Sequence, residues 1–495
     1  MEPTYLSSIE DLNKLNLWRR YQSTLSFILF VAVKKLYPAR RLRIEHSMSK
    51  GFYCLLDKKI TIPQLKKIEK QMTGLINQNI PIKKIVYSRK EAVKLFKKTG
   101  MDDKVALYEN IRKQNIAVYK LLDYYDSYIT PPFESTGKVK AFQLKKFSPG
   151  FIMVFPTWQD LSKMPRYQAQ PKLARIFNEY EEWAHILGIS DIAHLNHIIK
   201  KGKGPEIIKI TEALHEKKIV YIADRIMKKR KKIVLIAGPS SAGKTTFTKR
   251  LAIQLFVNGI RTAVISADDY FLPHSQTPKD EFGRLDFESI DAVDLPLLNR
   301  DLLKIIGGGT VEIPKFNFRT GRRNKGKKIS LPRNGVILLE GIHCLNEKLT
   351  HKIPSSWKFK IYISALTHLN VDNHNRISTT DTRLLRRIVR DTHFRGYKIK
   401  EVLHHLGSII NGEEKNIYPY QEEADEMFNS ALMYEPAVLK RFFMPIIKAV
   451  KKKDPEYEEA KRFIDLLNLF YELNEHDVPS NSILREFIGG SSFVY

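Results

Sequence analysis

The sequence predicts an α/β fold: a parallel sheet flanked by helices around a phosphate-binding loop, preceded by a small α+β domain and a helical connector. The apolar run Ile233 to Ala237 leads into Gly238-Pro239-Ser240-Ser241-Ala242-Gly243-Lys244-Thr245-Thr246. This fits the pattern of two spaced glycines followed by Lys and Thr, with a strand before it and a helix after it. Apolar strands then alternate with helical stretches through Val336 to Leu339 and Phe359 to Ile363, the pattern of a parallel sheet with helices on both faces. Upstream of residue 156, short strand-like segments lie among helices without that alternation.

Composition sets the outer bounds. A chain of 495 residues with 43% hydrophobic and 11% aromatic content is large enough for two or three domains, each with a core. Its two cysteines, Cys54 and Cys344, lie far apart without metal-type spacing, which excludes a disulfide framework and suits a reducing compartment. The apolar run Phe27 to Val33 is too short to span a bilayer and is closed by Lys34 and Lys35. Met1 to Glu10 lacks a basic, signal-like start, so a cytoplasmic protein is expected. Lys and Arg number 83 against 54 acidic residues, a formal charge of +29, which favours polyanionic partners. The lysines are scattered along helices, however, so a solvated surface is preferred over a dedicated RNA-binding face.

In chain order, residues 1–155 read as one α+β domain. Leu25 to Leu36 predicts a buried helix stopped by Pro38, and Ile62 to Asn77 an amphipathic helix with Pro63 at its start. Lys83 to Tyr87, Ile116 to Leu121 and Val139 to Leu144 predict strands. Residues 156–231 read as a helical connector, with helices over Leu173 to Leu187 and Ile207 to Met227. His194 and His197 have no carboxylate or cysteine cluster beside them, so they are read as helix-surface residues rather than metal ligands. Residues 232–455 hold the phosphate-loop domain, with a helix over Gly243 to Val257 and a strand over Arg261 to Ser266, and 456–495 form a helical tail.

The N-terminal domain resembles the second additional, editing-side domain of threonyl-tRNA synthetases. The resemblance is carried by His46-Ser47-Met48-Ser49-Lys50-Gly51-Phe52-Tyr53, by Ile80-Pro81-Ile82 before Ser88-Arg89-Lys90-Glu91-Ala92, and by Ser135 to Phe142. In that family a His-x-x-x-His helix and a later Cys/His loop form the deacylation site. Here Gln22 and Ser26 fall at the histidine positions, and the loop after Asp126 reads Ser127-Tyr128-Ile129-Thr130-Pro131-Pro132. The ligand types that hydrolysis needs are missing, so the expectation is a scaffold without editing chemistry.

Phosphate chemistry needs charge control at the carboxyl ends of the parallel strands. Gly238 to Thr246 offers backbone N–H groups to phosphate oxygens, Lys244 a point charge, and Thr245 a hydroxyl for Mg²⁺. The strand ending at Ser266 delivers Asp268 and Asp269 to the same edge, where a carboxylate can take the proton of an attacking hydroxyl and reach Mg²⁺. The position equally favours a helix N-cap. Glu340, ending the strand from Val336, is a second candidate metal ligand. Arg383, Arg386 and Arg390 fall on one helical face, with Arg387 alongside and Arg395 beyond, and together read as a lid of phosphate-binding forks.

This constellation resembles the phosphoribulokinase/uridine kinase family. It includes Asp268-Asp269-Tyr270-Phe271, the segment Phe287 to Asp294, Val311-Glu312-Ile313-Pro314-Lys315-Phe316, Leu339-Glu340-Gly341, and the arginine run ending in Arg390-Asp391. The resemblance implies Asp268 as catalytic base, Lys244 and Thr245 on phosphate and Mg²⁺, and Arg387 and Arg390 as the lid. With the terminal Arg485-Glu486-Phe487-Ile488-Gly489-Gly490, the layout is similar to bacterial uridine-kinase-like proteins of double length. The acceptor segment departs from the family: Phe316 and Gly321 stand where uridine–cytidine kinases carry a Tyr and a His that hold the pyrimidine. Arg319, Arg322 and Arg323 nearby suit a more anionic acceptor or a plain surface.

The resulting expectation is an ATP- and Mg²⁺-dependent kinase for a small-molecule hydroxyl, with the 5′-hydroxyl of a nucleoside favoured. The alternatives are a sugar, sugar phosphate or other alcohol as acceptor, or a tRNA-binding regulatory ATPase. No membrane partner is expected, and association with RNA or a second copy of the chain is left open.

Overall fold

The computed structural model describes residues 3–279, 283, 285–317, 320–332 and 334–495, with side chains from Ile9 onward. Arg319, one of the residues named in the acceptor segment, lies outside the described residues.

The first helix runs over Pro3–Leu36, far longer than the apolar stretch alone predicts. Its early half is polar, but Leu12, Leu15 and Tyr21 are buried, and Arg19 is ion-paired with Glu459 near the other end of the chain. The helix therefore borrows its stability from a partner invisible to local periodicity. Ile62–Asn77 forms as expected, with Thr61 and Gln64 in a reciprocal capping box and Leu65, Ile68, Met72 and Leu75 buried.

Two antiparallel sheets complete the N-terminal part. One has four strands in the order Leu42–Met48, Gly51–Leu56, Gly150–Val154, Gln143–Phe147, and the other has Lys83–Ser88, Asn115–Leu121 and Tyr124–Asp126. The strand expected over Val139 to Leu144 begins only at Gln143. Tyr21 explains the shift: its hydroxyl donates to the Ala141 carbonyl at 2.5 Å and accepts from the Lys140 and Ala141 amides, so a side chain replaces the ladder there.

The connector contains Pro171–Leu187, Ile192–Lys200 and Gly204–Lys229. His194 and His197 are exposed on the middle helix, and His194 Nδ1 lies 2.8 Å from Asp191. The third helix packs along Lys244–Val257, where Arg250 reaches Glu212 at 3.3 Å and Glu216 at 2.6 Å.

The C-terminal half is built on five strands, all parallel, in the order Glu426–Asn429, Lys358–Ser364, Ile233–Ala237, Val336–Glu340, Thr262–Ser266. Ile233–Ala237 and Lys358–Ser364 are buried along their whole lengths, as expected of a sheet covered on both faces. The edge strand Glu426–Asn429 and the hairpin of Val311–Asn317 with Arg322–Ile329 escape the periodicity argument. The hairpin's second strand, Arg-Arg-Asn-Lys-Gly-Lys-Lys-Ile, is mostly polar and carries no β signal. Among the described residues no helix is long and apolar enough to cross a membrane.

Candidate active site

The central strand Ile233–Ala237 ends directly in the glycine loop, and its neighbours fix what surrounds that loop. Glu340 is level with Ile236 on one side and Ser266 on the other. Register alone therefore brings Glu340, the loop and the Asp268 turn to one sheet edge, where ligands of open parallel sheets sit. Gly238 is required by close approach: a Cβ there would lie 2.0 Å from the Ile363 carbonyl oxygen of the adjacent strand. Lys244 Nζ donates to the carbonyls of Gly238 at 2.9 Å and Pro239 at 3.2 Å, which folds its charge over the loop. Ser241 holds a positive φ, and its buried hydroxyl has no partner among the described residues, a donor turned toward the loop interior.

The electrostatics of this edge are strained by burial. Burial pushes the Asp268 carboxyl above its ordinary range; Lys244 opposes the shift and Asp269 adds to it. Burial likewise pushes Glu340 to about 7, with Asp268 adding repulsion and Lys244 opposing. Glu288 is also raised to about 7 by burial and by Glu413, against Arg387 and Lys244. Acidic groups that resist ionisation together are relieved by a cation between them. Asp268, Glu340 and the Thr245 hydroxyl are the hard-oxygen set that Mg²⁺ takes, with the remaining positions left to phosphate and water. Among the described residues no cluster of three or more His, Cys, Asp or Glu could hold a metal by itself. The donor set therefore fits a metal brought in with a nucleotide rather than a resident one.

Asp269, beside the candidate base, has a different place. It accepts from the Phe316 amide at 3.3 Å and pairs with Lys315 at 3.2 Å, tying the hairpin to the sheet edge.

The arginine helix spans Thr379–Phe394, and its residues divide into two sets. Arg383 and Arg386, expected in the lid, are buried and spent on structure. Arg383 is ion-paired with Glu413 and donates to the Ser240 carbonyl at 3.2 Å. Arg386 makes a two-pronged contact with Glu435, at 2.9 and 2.6 Å, and donates to the Ser241 carbonyl at 3.3 Å. These two brace the loop backbone and cannot swing out, because each would leave a buried carboxylate unpaired. Arg387 and Arg390 face the loop side as expected. Arg387 Nη1 donates to Ser240 Oγ at 3.2 Å, and Asp391 steadies Arg387 at 3.3 Å, Arg390 at 2.8 Å and Arg395 at 3.5 Å.

The acceptor side carries a feature the linear sequence conceals. Gly321 has φ +65°, and a Cβ there would lie 2.2 Å from the ring of His274. His274 comes from the chain following the Asp268 turn, and its ring sits 5.5 Å from Phe287 and 6.2 Å from Phe316. Phe271, Phe287 and Phe316 complete an edge-to-face group with centroids 5.4 to 6.3 Å apart. The histidine that Gly321 removes from the hairpin is thus replaced by one from another segment. Arg323 is not free for an anionic acceptor, because it pairs with Asp294 at 2.9 Å.

A phosphate loop on an all-parallel sheet, with acidic groups at the strand ends and an arginine helix across the loop, defines the class of P-loop phosphotransfer folds. Residues 233–433 match the sequence model of the phosphoribulokinase/uridine kinase family. A uridine kinase of Deinococcus deserti is 26% identical over 208 residues, 42% of this chain and 91% of that protein. The N-terminal part matches instead a threonine–tRNA ligase of Acetivibrio thermocellus, 37% identical over 127 residues, 25% of this chain and 20% of that protein. The chain thus spans about a fifth of the length of the threonine–tRNA ligases it matches. A possible uridine kinase from Bacillus stearothermophilus aligns in structure with a TM-score of 0.30 at 16% identity, over 43% of this chain and 97% of that one.

Proposed function

We propose that the chain is an ATP-dependent kinase acting on a small-molecule hydroxyl, with a nucleoside 5′-hydroxyl as the favoured acceptor. The observation that carries the reading is the meeting of Lys244, Asp268 and Glu340 at one sheet edge with Arg387 bonded to the loop across from them. ATP, when bound, supplies the transferable phosphoryl group, and Mg²⁺ its charge neutralisation. The loop from Gly238 to Thr246 would hold the phosphates, and Thr245, Asp268 and Glu340 the metal. Asp268, its proton affinity raised by burial, takes the proton of the acceptor hydroxyl. Lys244, Arg387 and Arg390 place positive charge where negative charge grows on the transferring group. Arg383 and Arg386 keep the loop backbone in the shape that aims its donors.

The aromatic group of Phe271, Phe287, Phe316 and His274 favours a planar acceptor. It offers ring faces for stacking and one imidazole edge for hydrogen bonding. A screen of nucleosides, sugars, sugar phosphates and other alcohols, scored by ADP release and product mass, tests the reading. Phosphorylation of a pyrimidine nucleoside is the expected outcome. Inert nucleosides with an active sugar or sugar phosphate would move the assignment to that acceptor class. An inert panel with salt-dependent tRNA binding would replace the kinase by an RNA-binding ATPase.

A further inference from the structure

The phosphate-loop chemistry leaves unused a cavity of about 290 Å³ between the N-terminal part and the parallel sheet. One wall is the first helix, through Trp18, Gln22 and Ser26; another is the turn from Ser47 to Phe52. Facing them are Ser364 at the end of the strand beside the loop and the run from Arg376 to Asp381. The positions where the sequence had lost editing histidines, Gln22 and Ser26, therefore line a chamber closed by the other half of the chain.

The lining is apolar in the main, with Trp18, Phe52, Phe155 and Leu366 among its walls, but four of its polar atoms are buried without a hydrogen-bond partner. They are Gln22 Nε2, Ser49 Oγ, Ser364 Oγ and Arg376 Nε. Ser49 and Ser364 are only 3% and 1% exposed. All four can donate, and a buried donor left unpaired is costly, so their convergence on one chamber marks a place for an acceptor-rich ligand.

Charge sharpens this. The other cations of the lining are paired: Arg19 with Glu459, Arg462 with Asp381 and Glu459, and Lys50 with Glu414. Arg376 has no ion-pair partner among the described residues. Its guanidinium lies 4.7 Å from the centroid of the Phe52 ring, and the nearby carboxylate of Asp381 is already held by both terminal nitrogens of Arg462. The chamber thus carries one uncompensated positive charge among apolar walls. Charged groups this deeply placed are normally paired.

We propose that this interdomain cavity is a binding site for a small organic anion. A carboxylate or phosphate group sits on Arg376, the donors of Gln22, Ser49 and Ser364 take its other polar atoms, and its apolar body lies against Trp18 and Phe52. The volume matches a molecule of amino-acid to mononucleotide size. The same chamber reaches Ser378 to Asp381 at the start of the arginine helix, so the occupant touches the element that holds the phosphate loop.

The test is calorimetric binding and thermal shift on the full chain, with amino acids, short aliphatic and aromatic monocarboxylates, and nucleoside 5′-monophosphates at millimolar concentration. At least one carboxylate or phosphate raises Tm in the wild type, and equally in Lys244→Ala, whose phosphate loop is disabled. Arg376→Gln weakens that ligand about tenfold or more, and Gln22→Leu weakens it less. Binding by carboxylates alone or by phosphates alone identifies the anionic group. The proposal is overturned if no member of the panel binds, if Arg376→Gln binds as tightly as wild type, or if Lys244→Ala abolishes binding. Should Arg376→Gln fail to fold, Arg376→Lys and Ser49→Ala carry the same comparison.

Discussion

Lys104 Nζ, from the N-terminal part, lies 2.7 Å from Asp372 Oδ2 in the segment that leads to the arginine helix, and both side chains are sealed from solvent. The same ammonium is 2.8 Å from Asp126, which in turn receives His374 at 2.8 Å and the Tyr128 hydroxyl at 2.7 Å. This buried network is the polar joint between the two halves. Removing one member strands the others, so Lys104→Met is expected to cost about 3–5 kcal/mol, read by urea unfolding. Although burial opposes ionisation, Lys104 and His374 hold the Asp126 carboxyl well below its ordinary range. A carboxyl depressed on folding adds stability above its unfolded pKa, and that contribution fades as pH falls below about 4 toward the lower folded value. Asp372, raised by burial despite Lys104, offsets part of it. Lys104→Met should therefore flatten the acid limb of the stability curve as well as lower it.

Asp268→Asn keeps the shape of the turn but removes the proton acceptor. Turnover with the best acceptor is expected to fall by roughly 10²–10⁴-fold, while nucleotide binding, measured by calorimetry, persists or tightens because a buried negative charge is gone. Undiminished turnover would remove Asp268 from the mechanism.

Glu340→Gln separates stability from function. Burial raises the Glu340 carboxyl from 4.5 to about 7. A group raised on folding contributes stability that is full below its unfolded pKa and lost as pH rises through the folded value. Wild type is therefore penalised above about pH 7, and the neutral variant is not. At pH 8 the variant should be more stable by up to roughly 3 kcal/mol, with the advantage gone near pH 4. It should also lose the Mg²⁺ dependence of nucleotide binding, measured by metal titration at fixed nucleotide. An unchanged pH profile of Tm would show that Glu340 is not the buried titrating group.

Much of this organisation is legible in the sequence, and the failures share a cause. The phosphate loop, the strand-end acids and the capped helix Ile62–Asn77 are readable because each depends on residues within a few positions of one another. The first helix, the late start of the strand at Gln143, and the burial of Arg383 and Arg386 depend on partners far along the chain: Glu459, Tyr21, Glu413 and Glu435. An amphipathic arginine pattern looks the same whether its acceptors are phosphates or buried glutamates. His274 illustrates the limit, since only folding reveals that it fills the space Gly321 leaves open.

The C-terminal tail supplies the last prediction. Glu486 Oε2 accepts from the Thr246 hydroxyl at 2.6 Å and from its amide at 3.3 Å, and the Tyr495 hydroxyl lies 2.8 Å from the same Thr246 oxygen. Ile483 presses on the loop from the same side, its methyl filling the space beside Gly243. These donors belong to the first turn of the helix after the loop, where amide N–H groups and the helix dipole favour an anion. A carboxylate lodged there competes with the nucleotide phosphates for the same groups. Glu486→Ala should tighten a non-hydrolysable ATP analogue by about 5–30-fold, the equivalent of one to two kilocalories of relieved competition, with Glu486→Gln intermediate because it keeps the hydrogen bond and loses the charge. The gain should shrink in high salt, which screens the repulsion. If Glu486 is instead a brace for the loop, both variants will lower Tm with no gain in nucleotide affinity, and calorimetry on the two proteins side by side separates these outcomes.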